Sequence, residues 1–181
     1  MRFFVAIAMI LSVAFAFQGG EAPKAKKVNV AGVDTKSPVT RAEAAAVFAR
    51  ARKVINKSRI AAVPEKSTIA TDAKTVTREE VILEMAKIFE GSKKAVKFMP
   101  APTKYDPKVL KAGSAGSKAA LQKLITWGFI APVGALATGP KPGLSIQQFG
   151  DAVGFFMARM ADVTHMPSPR WSPYLQPNDG D

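Results

Sequence analysis

The chain has no cysteine and a single histidine, His165. The first absence excludes thiol catalysis, disulfide frameworks and thiolate metal sites, and it leaves no thiol for lipid attachment. The second excludes any mechanism that needs two imidazoles. Sustained strand-like alternation is missing as well, so a sheet-built core is not expected; only KVNVAG (27–32) and STIAT (67–71) read as short local strand pairs. The apolar run from Phe3 to Phe17 is shorter than the roughly 20 residues needed to cross the hydrocarbon core. There is no Gly-x-Ser-x-Gly, no His-Glu-x-x-His and no phosphate-cradling glycine loop. Asp106, Asp151 and Asp162 are the acids near apolar sequence, and Asp151 reads as an exposed helix-face acid rather than half of a catalytic pair. These gaps predict a protein without enzymatic chemistry, cofactor or metal.

What is present begins with the leader. Arg2 precedes the apolar run, which ends in Ala14-Phe15-Ala16, a small-x-small pattern suited to signal peptidase. Residues 1–16 therefore read as a cleaved secretion signal and not as a retained anchor. Residues 17–27, rich in Gly, Pro and Lys, read as a flexible spacer. Residues 28–165 read as one helical domain, large enough to bury a core without staples. Residues 166–181 contain four prolines and form a Pro-rich tail that cannot continue a helix; Trp171 and Tyr174 make it a candidate contact for other envelope proteins. The 26 Lys and Arg exceed the 14 Asp and Glu, and loss of Arg2 with the leader lowers the excess from +12 to +11. Such an excess favours anionic partners: nucleic acid, anionic lipid or acidic envelope polymers. An exported chain mostly meets the last two, so nucleic acid is not expected.

Apolar residues at three- and four-residue spacing predict four helices, over about 41–57, 78–94, 117–127 and 146–162. Three of them open on a capping box: Thr40 with Glu43, Thr77 with Glu80, and Ser145 with Gln148. Counting four, eight and eleven residues from each cap gives Ala44, Phe48 and Ala51; Val81, Met85 and Ile88; and Phe149, Val153 and Phe156. All are apolar and share one face, so the three helices are expected to meet around a common core of approximate threefold character. Trp127 before Gly128 reads as core packing at a helix end, with the glycine in a left-handed turn. Met157 and Met160 read as core filling. GSAGSK (113–118) reads as a helix lead-in, because it lacks the preceding strand and spacing of a phosphate loop. His165 reads as the end of the last helix.

The segments SPVTRAEAAAVFARA from Ser37 and TVTREEVILEMAKIF from Thr75 resemble the Ile-Thr-Arg-Ala-Glu signature that opens the second helix of each S-layer homology repeat. Tyr105 to Met160 resembles one complete, degenerate repeat: Asp106, the helix SKAALQKLITWG, Phe129-Ile130, a Gly/Pro-rich loop and LSIQQFGDAVGFFMARM. The resemblance covers most of residues 33–162 and is specific at the two Thr-Arg-x-Glu sites. It implies a mainly α, pseudo-threefold bundle of such repeats, a non-catalytic envelope module whose grooves bind anionic cell-wall polysaccharide or peptidoglycan. On that resemblance Arg41 and Arg78 are the candidate glycan contacts, with Glu43 and Glu80 serving the caps. An arginine one residue beyond a cap stands at the positive end of the helix dipole beside free backbone N–H groups, where a guanidinium can grip a carboxylate through two hydrogen bonds. The alternative for each is a plain surface arginine. The chain departs from the pattern in three places: the first unit lacks the usual opening helix, with only the spacer and VAGVDTKS before its cap, Thr40 and Thr77 are closer together than a full repeat of about fifty-five residues, and Ile146 stands where the third arginine belongs. The other reading is therefore a structural or interaction subunit that keeps the scaffold without binding sugar.

Overall fold

A computed structural model describes residues 34–58, 61–111 and 113–165. The leader, the spacer, KVNVAG and the Pro-rich tail lie outside the described residues. Within them the chain is mainly helical: α1 (Arg41–Lys57), α2 (Arg78–Ser92), α3 (Ala115–Thr126) and α4 (Ile146–Thr164), with single 3-10 turns at Lys93–Ala95 and Pro107–Val109. None of these helices is long and apolar enough to cross a membrane.

The three expected capping boxes all form. The Glu43 and Glu80 carboxylates each accept the backbone N–H of their cap threonine at 2.9 Å, and Gln148 accepts that of Ser145 at 3.1 Å. The reciprocal bonds to the cap hydroxyls measure 3.3 Å in all three. Each cap contributes about 1 kcal/mol. A fourth box opens α3, where Ser114 and Ser117 exchange the same bonds; the helix starts two residues earlier than the apolar spacing predicts because this serine pair fixes its first turn. α2 ends at Ser92, tightening into the 3-10 turn that follows, whereas α4 runs to Thr164. α3 closes on a Schellman turn: Phe129 N–H donates to the Leu124 carbonyl and Gly128 N–H to that of Ile125, with Gly128 at φ +69°.

STIAT forms no strand pair. The Thr68 N–H and hydroxyl turn instead to the Glu84 carboxylate, and Ile69 is buried. The bridges that do form lie in the lead-ins to three helices: Thr40 with Thr75, Thr77 with Gly143, and Ser145 with Pro38. These pairings close a ring. The N–H one residue past each cap donates to the carbonyl three residues before the next cap: Arg41 to Lys74 at 2.8 Å, Arg78 to Pro142 at 2.8 Å, and Ile146 to Ser37 at 2.9 Å. At its centre Val39 N–H donates to Leu144 and Val76 N–H to Val39, and these three side chains are buried. Gly143 permits the approach, since a Cβ there would lie 3.0 Å from the Thr75 methyl.

Beneath the ring the nine positions singled out by their spacing are all buried. Phe48 meets Phe149 edge to face at 5.7 Å, Phe89 meets Phe129 at 4.7 Å, and Phe129 meets Phe156 at 5.9 Å. Burial of each such ring is worth about 1.5–3 kcal/mol, so this aromatic row ties α1, α2, the turn after α3 and α4 into one core. Met157 and Met160 belong to it, and Trp127 packs partly buried against it.

Candidate functional site

The ring sets the first residue of α1, α2 and α4 at three junctions, each between one capped helix and the lead-in to the next. The fold treats the three differently. At the first, Arg41 Nη1 lies 3.3 Å from Asp72 and Nε lies 2.7 Å from Glu80 Oε1. The Nε approach is a charge contact without hydrogen-bond alignment. Two carboxylates thus neutralise Arg41, one from the lead-in to α2 and one from its first turn. The Asp72 carboxyl is held below its ordinary value, first by the Lys74 N–H it accepts and then by Arg41.

At the second junction Arg78 reaches the Gly139 carbonyl with Nη1. Among the described residues it forms no ion pair. The position matching Asp72, five residues before the next cap, is Pro140, which has no carboxylate to offer. Arg78 is half-buried, so its guanidinium is positioned yet keeps its charge. Its neighbour Glu79 turns away to accept the Ser114 hydroxyl at the start of α3.

At the third junction Ile146 is buried and supplies no cation. The Asp34 carboxyl beside it accepts the Lys36 N–H and the Ser37 hydroxyl, which hold it below its ordinary value.

The free backbone donors expected beside the arginines are largely used. The ring takes the N–H groups of Arg41, Arg78 and Ile146, and the carbonyls of Asp72 and Thr35 take those of Ala42 and Gln147. Among the described residues the equivalent N–H of α2, that of Glu79, has no such carbonyl partner. An anion at the second junction would therefore meet the Arg78 side chain and one backbone N–H, whereas at the first and third junctions the corresponding donors are already taken.

Sequence reasoning missed the interior charge pair. Arg52 and Glu84 are both fully buried; Arg52 donates from Nε and Nη2 to Glu84 Oε1 at 3.2 and 2.9 Å and from Nη1 to the Pro64 carbonyl at 3.0 Å. Burial pushes the Glu84 carboxyl up, but the Thr68 and Ser67 hydroxyls, the Arg52 charge and the Thr68 N–H together hold it below its ordinary value. The signal was available: Glu84 stands three residues after Val81 and four before Ile88, on the apolar stripe itself.

The remaining candidates have local roles. Asp106 accepts the Lys108 N–H of a 3-10 turn, Asp162 lies 3.5 Å from Arg159, and Asp151 stands on the exposed face of α4, where partial desolvation raises its carboxyl. Arg159 also donates to the Gly128 carbonyl, clamping the turn after α3. His165 caps α4 in a left-handed conformation, its ring tilted against that of Phe98 with centroids 5.3 Å apart. Among the described residues no group of three or more carboxylates and imidazoles is arranged to hold a metal ion. Compared with protein-family profiles, characterised proteins and solved structures, the chain matches none.

Proposed function

We propose that this chain is a non-catalytic, exported cell-envelope protein that attaches to an anionic cell-wall polysaccharide or peptidoglycan through three related units of S-layer-homology type in pseudo-threefold arrangement. The observation that carries the reading is the cyclic pairing of the three lead-ins, in which the N–H one residue past each cap makes the same bond at every junction. Three unrelated helices of one bundle would share apolar spacing without that equivalence. The excess of Lys and Arg supports an acidic partner, and the leader supports export. Arg78 is the principal contact, since a half-buried guanidinium without a carboxylate can bind one from a sugar acid through two hydrogen bonds. Arg41 serves the junction.

A second reading is a structural or interaction subunit that retains the scaffold without binding glycan. It is favoured by the closure of the first junction with ion pairs and of the third with Ile146. Co-sedimentation with purified wall sacculi separates the two. The parent is expected to pellet with sacculi, and Arg78→Ala to weaken that on the order of tenfold or more, the value of a charge-assisted hydrogen bond. Equal pelleting by the variant removes Arg78 from the site, and no pelleting by the parent favours the scaffold reading. Binding by lysine excess alone would fade as ionic strength rises, so the Arg78-dependent part is to be read at high salt.

A further inference from the structure

The ring lies at the N-terminal ends of α2 and α4. From the other end of α2 a strap without α-helix, residues 93–111, runs back to the start of α3. Backbone bonds anchor it at three points: Lys97 N–H to the Val163 carbonyl near the end of α4, Thr103 N–H to Thr126 at the end of α3, and Lys111 N–H to Ala137. From the start of α4 to Val163, at 1.5 Å per residue, the first part of the strap stands about 25 Å from the ring, whereas its last residues lie beside the first turn of α2, where Ser114 donates to Glu79.

Two kinds of exposed side chain coincide on this strap. Lys93, Lys94, Lys97, Lys104, Lys108 and Lys111 are all exposed, and none has a side-chain ion pair among the described residues. The strap's single acid, Asp106, is occupied by its own turn. Of the five large apolar side chains exposed among the described residues, Phe98, Met99 and Val109 belong to the same strap, at 44%, 37% and 48% exposure. Cations following a helix C-terminus complement its dipole, which accounts for Lys93 and Lys94. It accounts neither for the lysines further along nor for Phe98 and Met99 beside Lys97.

We infer that the first part of the strap, residues 93–99, is a docking surface for an anionic phospholipid bilayer, with Lys93, Lys94 and Lys97 meeting headgroup phosphates and Phe98 and Met99 entering the boundary with the acyl chains. The two kinds of exposure argue for this occupant together. A soluble polyanion would take the lysines and leave the apolar side chains in water, whereas a charged bilayer rewards both. The inference does not rest on the ring's binding any polymer. If both ends are occupied, the chain holds wall and membrane a fixed distance apart.

Vesicle flotation of the full chain tests it, comparing vesicles of phosphatidylcholine alone with vesicles that also contain phosphatidylglycerol. The readout is the gain in binding caused by the anionic lipid, which sets aside the apolar leader. A gain is expected, and Lys93→Gln, Lys94→Gln and Lys97→Gln should each reduce it on the order of fivefold. The Phe98→Ala/Met99→Ala double variant keeps every charge and should lose on the order of tenfold. Arg78→Ala should float like the parent. Absence of a gain overturns the inference. It is equally overturned if the double apolar variant floats as well as the parent, or if soluble polyglutamate displaces the protein completely at equal charge concentration.

Discussion

The seam between α1 and α2 and the seam between α2 and the unit ending in α4 are built from different materials. The first carries ion pairs at two depths: Arg52 and Glu84 lie in the interior, and Arg41, Asp72 and Glu80 stand at the ring. The second is aromatic inside, with Phe89, Phe129 and Phe156 in a row, and at the ring it holds an arginine answered only by a carbonyl. Both seams begin with the same Thr-Arg-x-Glu phrase. The motif therefore specifies a helix start and a ring bond. What the arginine does is decided by two positions around the next cap: Asp72 and Glu80 in one case, Pro140 and Gln148 in the other.

The largest contrast is expected inside the seams. Phe129→Ala should cost about 3–5 kcal/mol through the cavity it leaves, and Arg52→Ala a similar amount by stranding a buried carboxylate. Replacing Arg52 by Met together with Glu84 by Leu should restore most of that loss, since exchanging a buried ion pair for apolar groups is often neutral. Urea denaturation at neutral pH checks all three.

Acid should separate the seams next. Glu84 is held below its ordinary value in the folded chain, so its contribution is complete above the unfolded pKa of about 4.3 and is lost as pH falls through the lower folded value. Urea midpoints should decline over that range for the parent. The decline should be shallower in Glu84→Gln and unchanged in slope in Phe129→Ala.

The smallest effects on stability, and the sharpest on binding, concern the ring. Pro140→Asp places a carboxylate opposite Arg78 and should reduce sacculus binding toward the level of Arg78→Ala while the denaturation midpoint stays close to the parent's. Asp72→Ala should partly release Arg41 and raise binding by a few fold at most, because Glu80 remains. If the two substitutions act in the same direction, the contrast between the junctions is not the determinant of binding.

The helices and their starts were legible because caps are local: a hydroxyl three residues before Glu or Gln, then apolar residues at helical spacing, specified Thr40, Thr77 and Ser145 together with the nine buried positions. The start at Ser114 was missed because its partner is Ser117, which carries none of the usual carboxylate or amide signal. The ring was illegible as pairing, since each lead-in contributes a bridge of single residues and leaves no alternation to read. The division of labour between Arg41 and Arg78 depends on partners that are distant in sequence until the chain folds. The Arg52–Glu84 pair was passed over because charges on amphipathic helices usually face water.

The ring also has a kinetic meaning. Its last bond joins the segment before α1 to the start of α4, so α1 cannot settle its lead-in until the chain as far as α4 is available. Closing so long a loop is entropically costly and comes late. A chain still emerging, or one cut ahead of Leu144, would keep the Val39 amide and the apolar face of α1 unsatisfied, and would remain soft and open to proteases until α4 arrived.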